Sequence, residues 1–159
     1  MLLRLAAAFC LLCPAGPAAP PPGVAISAGA QPPVLLSAAQ IAQLPQVPLS
    51  VAFVTAHGPF SASFAGPLLW NLLINAHAID PAQPKMFARA FIAVTGADGY
   101  VAVIALGEIA PSLEGKPVIL ADAMNGKKLA PGDLRIIIPG EHHGARDVRN
   151  VVRIALLTQ

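Results

Sequence analysis

Two β-rich runs, Phe91 to Thr95 and Tyr100 to Ala105, flank Gly96-Ala97-Asp98-Gly99, and no other feature of the chain constrains its fold as much. Asp-Gly tolerates the positive φ that a tight turn demands, so the spacing predicts a β-hairpin. A hairpin commits both strands to antiparallel pairing, because parallel neighbours need a long crossover. The elements around it are short and mixed. Ser37-Ala38-Ala39-Gln40 reads as a capping box that opens a short helix ended by Pro45. Val47 to Thr55 and Phe60 to Phe64 read as strands joined by a turn at Ala56-His57-Gly58-Pro59. Pro67 is expected at the first position of a helix over LLWNLLINAHAI, where Leu68, Leu69, Leu72, Leu73 and Ala76 recur at helical spacing. A loop follows from Asp80-Pro81 through Pro84, and Leu106 to Ala110 forms one helical turn stopped by Pro111. Pro117 to Ala123, Leu134 to Ile138 and Val148 to Leu157 read as strands, with a turn at Met124-Asn125-Gly126. With no βαβ period and no internal repeat, the expected class is α+β with a mixed, mostly antiparallel sheet and short helices.

Composition narrows what such a domain can do. The chain has 159 residues, 55% hydrophobic and 11% charged, with a formal charge of +2, which fits one modest domain with an ordinary core. Ten Lys and Arg against eight Asp and Glu leave no basic field for a nucleic-acid partner. Both cysteines, Cys10 and Cys13, lie in the first thirteen residues. A mature domain without them has no disulfide, no thiolate-bound zinc and no cysteine nucleophile.

Those first residues carry an address. Arg4 is the only Lys, Arg, Asp or Glu before Asp80, and LAAAFCLLC at 5–13 is an apolar run closed by Pro14. Such a run is too short for a stable membrane span, which needs about 20 apolar residues, and it matches the core of a signal peptide. Seven prolines between Pro14 and Pro33 favour an extended leader. Residues 1–30 are accordingly expected to be signal peptide and Pro-rich leader, residues 31–159 the domain, and the location periplasmic or secreted. Cleavage after Ala30 or near Ala18 both satisfy the small-residue rule, and retention as an N-terminal anchor is the competing reading.

Candidate chemistry gathers near the C-terminus. Arg135, Arg146, Arg149 and Arg153 supply guanidinium forks of the kind that grip a phosphate. On a strand over Val148 to Leu157, Arg149, Val151 and Arg153 would share one face, joined by Arg135 from a neighbouring strand. The alternative is a solvated strand face paired with Asp147 and Glu141. Glu141-His142-His143 has metal-ligand residue types, but neighbouring residues of an extended segment point in different directions. No metal site and no catalytic residue is assigned, since serines sit in strand runs and no G-x-S-x-G elbow occurs.

From about Leu36 to Leu157 the landmarks LSAAQIAQLP, FAGPLLWNLL, VTGADGYVAVIAL, VILADAMNGKKL, LRIIIPG and GARDVRNVVRI come in an order and spacing that resembles the molybdopterin-binding domain of sulfite-oxidase-type oxidoreductases. The resemblance implies an α+β domain with a mostly antiparallel sheet and a pterin-phosphate site at Arg135 and Arg149, with Arg146 beside them. It also exposes departures. Asp147 stands where the family often has a small hydroxyl residue, Ala130 stands where a histidine commonly precedes the first arginine, and VAFVTAHGPF lacks the cysteine that ligates molybdenum. His57 is the nearest donor, a poor substitute for a soft thiolate. The expected function is therefore an exported, molybdopterin-oxidoreductase-like module that binds an anion or pterin phosphate without its own molybdenum thiolate. A subunit of a molybdopterin-dependent oxidoreductase completed by a protein partner, and a ligand-free structural domain, are the alternatives.

Overall fold

A strand stands where composition gives only an extended leader. In the computed structural model, which describes residues 23–158, β1 (Gly23–Ala28) lies inside the largest sheet, antiparallel to β2 (Val34–Ser37) and parallel to the final strand, Val151–Thr158. The described fold thus already includes Gly23, ahead of the expected domain start at residue 31. Prolines at 20–22 and 32–33 bracket a proline-free segment in which Val24 and Ile26 alternate with small residues, and both are buried. The rest of the expected export segment, residues 1–22, lies outside the described residues.

Local chemistry then places the next elements. In α1 (Ala38–Gln43) the Gln40 backbone N–H donates to Ser37 Oγ at 3.3 Å and the Ser37 N–H donates to Gln40 Oε1 at 2.9 Å, the reciprocal cap expected from sequence. Leu44, held extended by Pro45, stops the helix. β3 (Gln46–Thr55) and β4 (Gly58–Pro67) pair along their full length around a turn at Ala56-His57. Pro67 is not a helix start but the last residue of β4, opposite Gln46. It tolerates that place because a strand end has no ladder bond to lose. α2 (Leu69–Asn75) begins two residues later and is shorter than its apolar run, since His77 turns to φ 54. Leu69, Leu72 and Leu73 are its buried face.

α3 (Pro84–Phe87), one turn inside the expected loop, leads into β5 (Ala90–Gly96) and β6 (Val101–Ala105). These two form the hairpin read from the sequence, in register Thr95 opposite Val101, with Gly99 at φ 83. α4 (Leu106–Ile109) ends before Pro111. β7 (Ile119–Ala121), β8 (Ala123–Met124), β9 (Lys127–Lys128), β10 (Arg135–Ile137), a 3-10 turn at Gly144–Arg146 and β11 (Val151–Thr158) complete the chain.

The sheets run β2-β1-β11-β5-β6, β3-β4-β8-β9 and β7-β10, and β1 with β11 is the parallel pair in these ladders. The fold is α+β and mostly antiparallel. β7 and β10 wall off two cores. Leu120 and Ile136 face the larger, packed with Leu72, Ile92, Ile104 and Ile154, whereas Ile119, Ala121 and Ile137 face the smaller, with Phe53 and Phe64. Burial on both faces explains the unbroken apolar runs VILA and IIIP, which alternation alone would not class as strands.

Candidate functional site

The last loop decides the site. Val148 to Asn150 do not belong to the expected strand: Asn150 adopts φ 50, β11 starts at Val151, and a bulge lies between Val151 and Arg153. Arg149 therefore does not share a strand face with Val151 and Arg153. Alternation fails where the backbone turns left-handed, and an asparagine tolerates that conformation. Arg153 sits on β11 between Ala25 and Thr95.

Arg135 and Asp147 meet in the smaller core. Arg135 Nη2 donates to Asp147 Oδ2 at 2.6 Å, with the two side chains only 10% and 7% exposed. Phe64 lies under the guanidinium at 5.2 Å from its centroid, and Phe60 at 6.0 Å. This pair fastens β10 to the last loop. The carboxylate that departs from the family pattern thus occupies the arginine that the pattern assigns to phosphate.

Arg146 is held by acids as well. Its Nη2 donates to Glu141 Oε1 at 2.5 Å, and its Nη1 to Glu108 Oε1 at 3.2 Å and to the Val103 carbonyl at 3.4 Å. Hydrogen bonding to Glu141 leads the effects that raise the Arg146 pKa above its ordinary value, against a smaller opposing effect of burial. For Glu108, burial is the largest influence and pushes the carboxyl up, but the hydrogen bond and charge of Arg146 together with the charge of Lys116 outweigh it, and the net shift is downward. Tyr100 Oη donates to the Ala145 carbonyl at 2.6 Å, and the Val54 N–H donates to the His142 carbonyl at 3.0 Å. The loop is therefore tied to the β3–β4 tip, to β6, to α4 and to β10.

What those ties leave open is a groove of about 640 Å³ between the β3–β4 tip and the loop, lined by Phe53, Thr55, His57, His143, Asp147 and Arg149, among others. Its floor is tight: a Cβ on Gly144 would stand 2.7 Å from Phe53 Cε2. Arg149 is exposed, and among the described residues its side chain makes no ion pair or hydrogen bond. The structure thus brings together His57, His143 and Arg149, and it separates Arg149 from Arg135 and Arg146, whose guanidinium groups are engaged elsewhere. His142 opens onto a different hollow, with Pro59 and Phe60. The grouping of His57 with His143 was not legible in the sequence, because it depends on the bridge between Val54 and His143.

The molybdenum cofactor implied by the resemblance does not fit these residues. No cysteine occurs in residues 23–158, the β3–β4 tip offers His57 instead of a soft thiolate, and Arg135 is neutralised by a buried carboxylate. Among the described residues no group of three or more His, Cys, Asp or Glu is arranged to hold a metal ion, and no helix is long and apolar enough to cross a membrane.

No family model matches the chain, and no curated protein matches it by sequence. By structure the chain is similar to the sulfane dehydrogenase SoxCD from Paracoccus pantotrophus, with a TM-score of 0.68 at 16% identity, over 86% of this chain and 38% of that one. At that identity the likeness is one of fold, and the present chain spans well under half of the longer polypeptide.

Proposed function

We propose that the chain is an exported binding module that holds a small phosphoanion, pterin phosphates included, in the groove beneath the β3–β4 tip, without molybdenum chemistry of its own. One observation carries this reading: Arg149 presents an uncommitted guanidinium to a groove that it shares with His57 and His143. A charge-assisted hydrogen bond from such a group contributes about 1.5–3 kcal/mol. The likeness to a sulfane dehydrogenase supports a domain descended from redox enzymes, while the missing thiolate and the Arg135–Asp147 pair favour binding over catalysis. The apolar run at 5–13 behind Arg4, which reads in the sequence as a signal-peptide core, supports a location outside the cytoplasm.

Titration with inorganic phosphate and with a pterin phosphate tests it. Saturable binding is expected, weakened by roughly 10-fold or more in Arg149→Ala and unchanged in Arg153→Ala. Absence of saturable binding, or equal affinity in Arg149→Ala, would return the domain to the ligand-free structural reading.

A further inference from the structure

Of the nine large hydrophobic side chains that stand exposed among the described residues, Leu35, Val101, Val103, Val152 and Leu157 lie on one surface, the outer face of the five-stranded sheet. Register arranges this face in three rows. The first is Leu35, Ala25, Arg153, Thr95 and Val101; the second Ser27, Ala155, Ala93 and Val103; the third Leu157, Phe91 and Ala105. Arg153 is its single charge. A sheet buries one face against helices as a rule and shows polar residues on the other, so an apolar outer face marks an interaction surface.

We propose that this face is the interface of a homodimer, two copies packing sheet on sheet. Charge fixes the symmetry. A two-fold axis along β11 would set Arg153 against the Arg153 of the second copy, an unfavourable contact between like charges. An axis along the middle row instead carries the first row of each copy over the third row of the other. Arg153 then lies over Leu157, Thr95 over Phe91 and Val101 over Ala105, so each larger side chain meets a smaller or complementary one. The arginine stem covers apolar surface while its head reaches the rim. On the axis itself sit Ser27, Ala155 and Ala93, small enough for the two sheets to approach, and Val103, which meets its own copy at the β6 end of the row.

Edge pairing is not an alternative route through β6. The outward Val103 carbonyl accepts from Arg146, and the outward Ala105 N–H donates to Glu108 at 3.4 Å. That edge is closed by side chains, a common protection of sheet edges. Size sets the strength. Five strands about 4.8 Å apart and some 20 Å long give on the order of 500 Å² per copy. Two faces total about 1,000 Å², the lower limit for a specific interface, the size expected of a weak, reversible dimer.

Sedimentation velocity of the full chain from about 1 to 200 μM is the test. A monomer–dimer equilibrium is expected, and Val103→Glu and Leu157→Glu should each raise the dissociation constant at least 10-fold while thermal unfolding stays that of a folded domain. Register is tested separately. In a Cys10→Ser, Cys13→Ser background, Val103→Cys on the axis should cross-link to its own copy with a short bismaleimide, whereas Arg153→Cys should cross-link only to a Leu157→Cys protomer. A monomer at every concentration overturns the proposal. So does a dimer that survives both glutamate variants, since it would form elsewhere; the chain without residues 1–22, the expected exported form, is measured alongside and must dimerise as well.

Discussion

Removing the Asp147 carboxylate should destabilise the domain far more than removing both partners of its ion pair. Arg135 and Asp147 are each at least nine-tenths buried, joined at 2.6 Å, and enclosed by Phe60, Phe64 and Met124, whose Sδ lies 3.8 Å from Arg135 Nη1. Asp147→Ala leaves a cation in that apolar space with no counter-charge, a loss of about 3–5 kcal/mol. Arg135→Met combined with Asp147→Leu removes both desolvated charges and keeps the volume, and such replacements range from neutral to stabilising. Arg135 Nε and Asp147 Oδ1 have no hydrogen-bond partner, so the native pair leaves part of its desolvation cost uncompensated. The double variant should therefore lie within about 1.5 kcal/mol of the parent, with a coupling energy above 2 kcal/mol. Urea unfolding followed by Trp70 fluorescence suits the measurement, because the single tryptophan, half-buried against the larger core, packs edge-on to Phe87 with centroids 5.1 Å apart. A loss below 1 kcal/mol in Asp147→Ala would refute the reasoning and free Arg135 for a ligand.

Three further outcomes follow from the same structure. Deleting residues 1–22 should leave a folded domain, whereas deleting 1–30 removes β1, strands β2 from β11 and should abolish the cooperative transition; equal melting curves would show β1 to be dispensable. Gly99→Val should cost about 1–3 kcal/mol, since a β-branched residue resists the φ of 83 found there, and calorimetry reads the lowered Tm directly. Glu108 has a folded pKa below its ordinary value, so its contribution is present at neutral pH and fades as pH falls through the carboxylate range. Glu108→Gln should therefore lose about 0.5–1 kcal/mol at pH 7, with a gap from the parent that narrows below about pH 4; a gap constant with pH would contradict the ion-pair account.

Wherever a short segment carries its own physical cause, the sequence by itself determined the structure. The capping box at Ser37 and Gln40, the stop at Pro45, the Asp-Gly turn and the helical turn before Pro111 each satisfy local backbone groups within a few residues, so no distant contact is needed to specify them. The mixed, mostly antiparallel class followed from their order. Local cues failed where the partner is remote. Gly23–Ala28 becomes a strand because β2 and β11 flank it, Pro67 ends a strand because Gln46 lies opposite, and Val148 to Asn150 leave the strand because the loop is drawn to β10. The site shows the same division. Arginine-rich composition announced a cluster, but pairing partners are set by tertiary packing, which joined Arg135 to Asp147 and Arg146 to Glu141 and Glu108. Only the contact between the β3–β4 tip and the last loop, residues some ninety apart in the chain, set Arg149 beside His57 and His143.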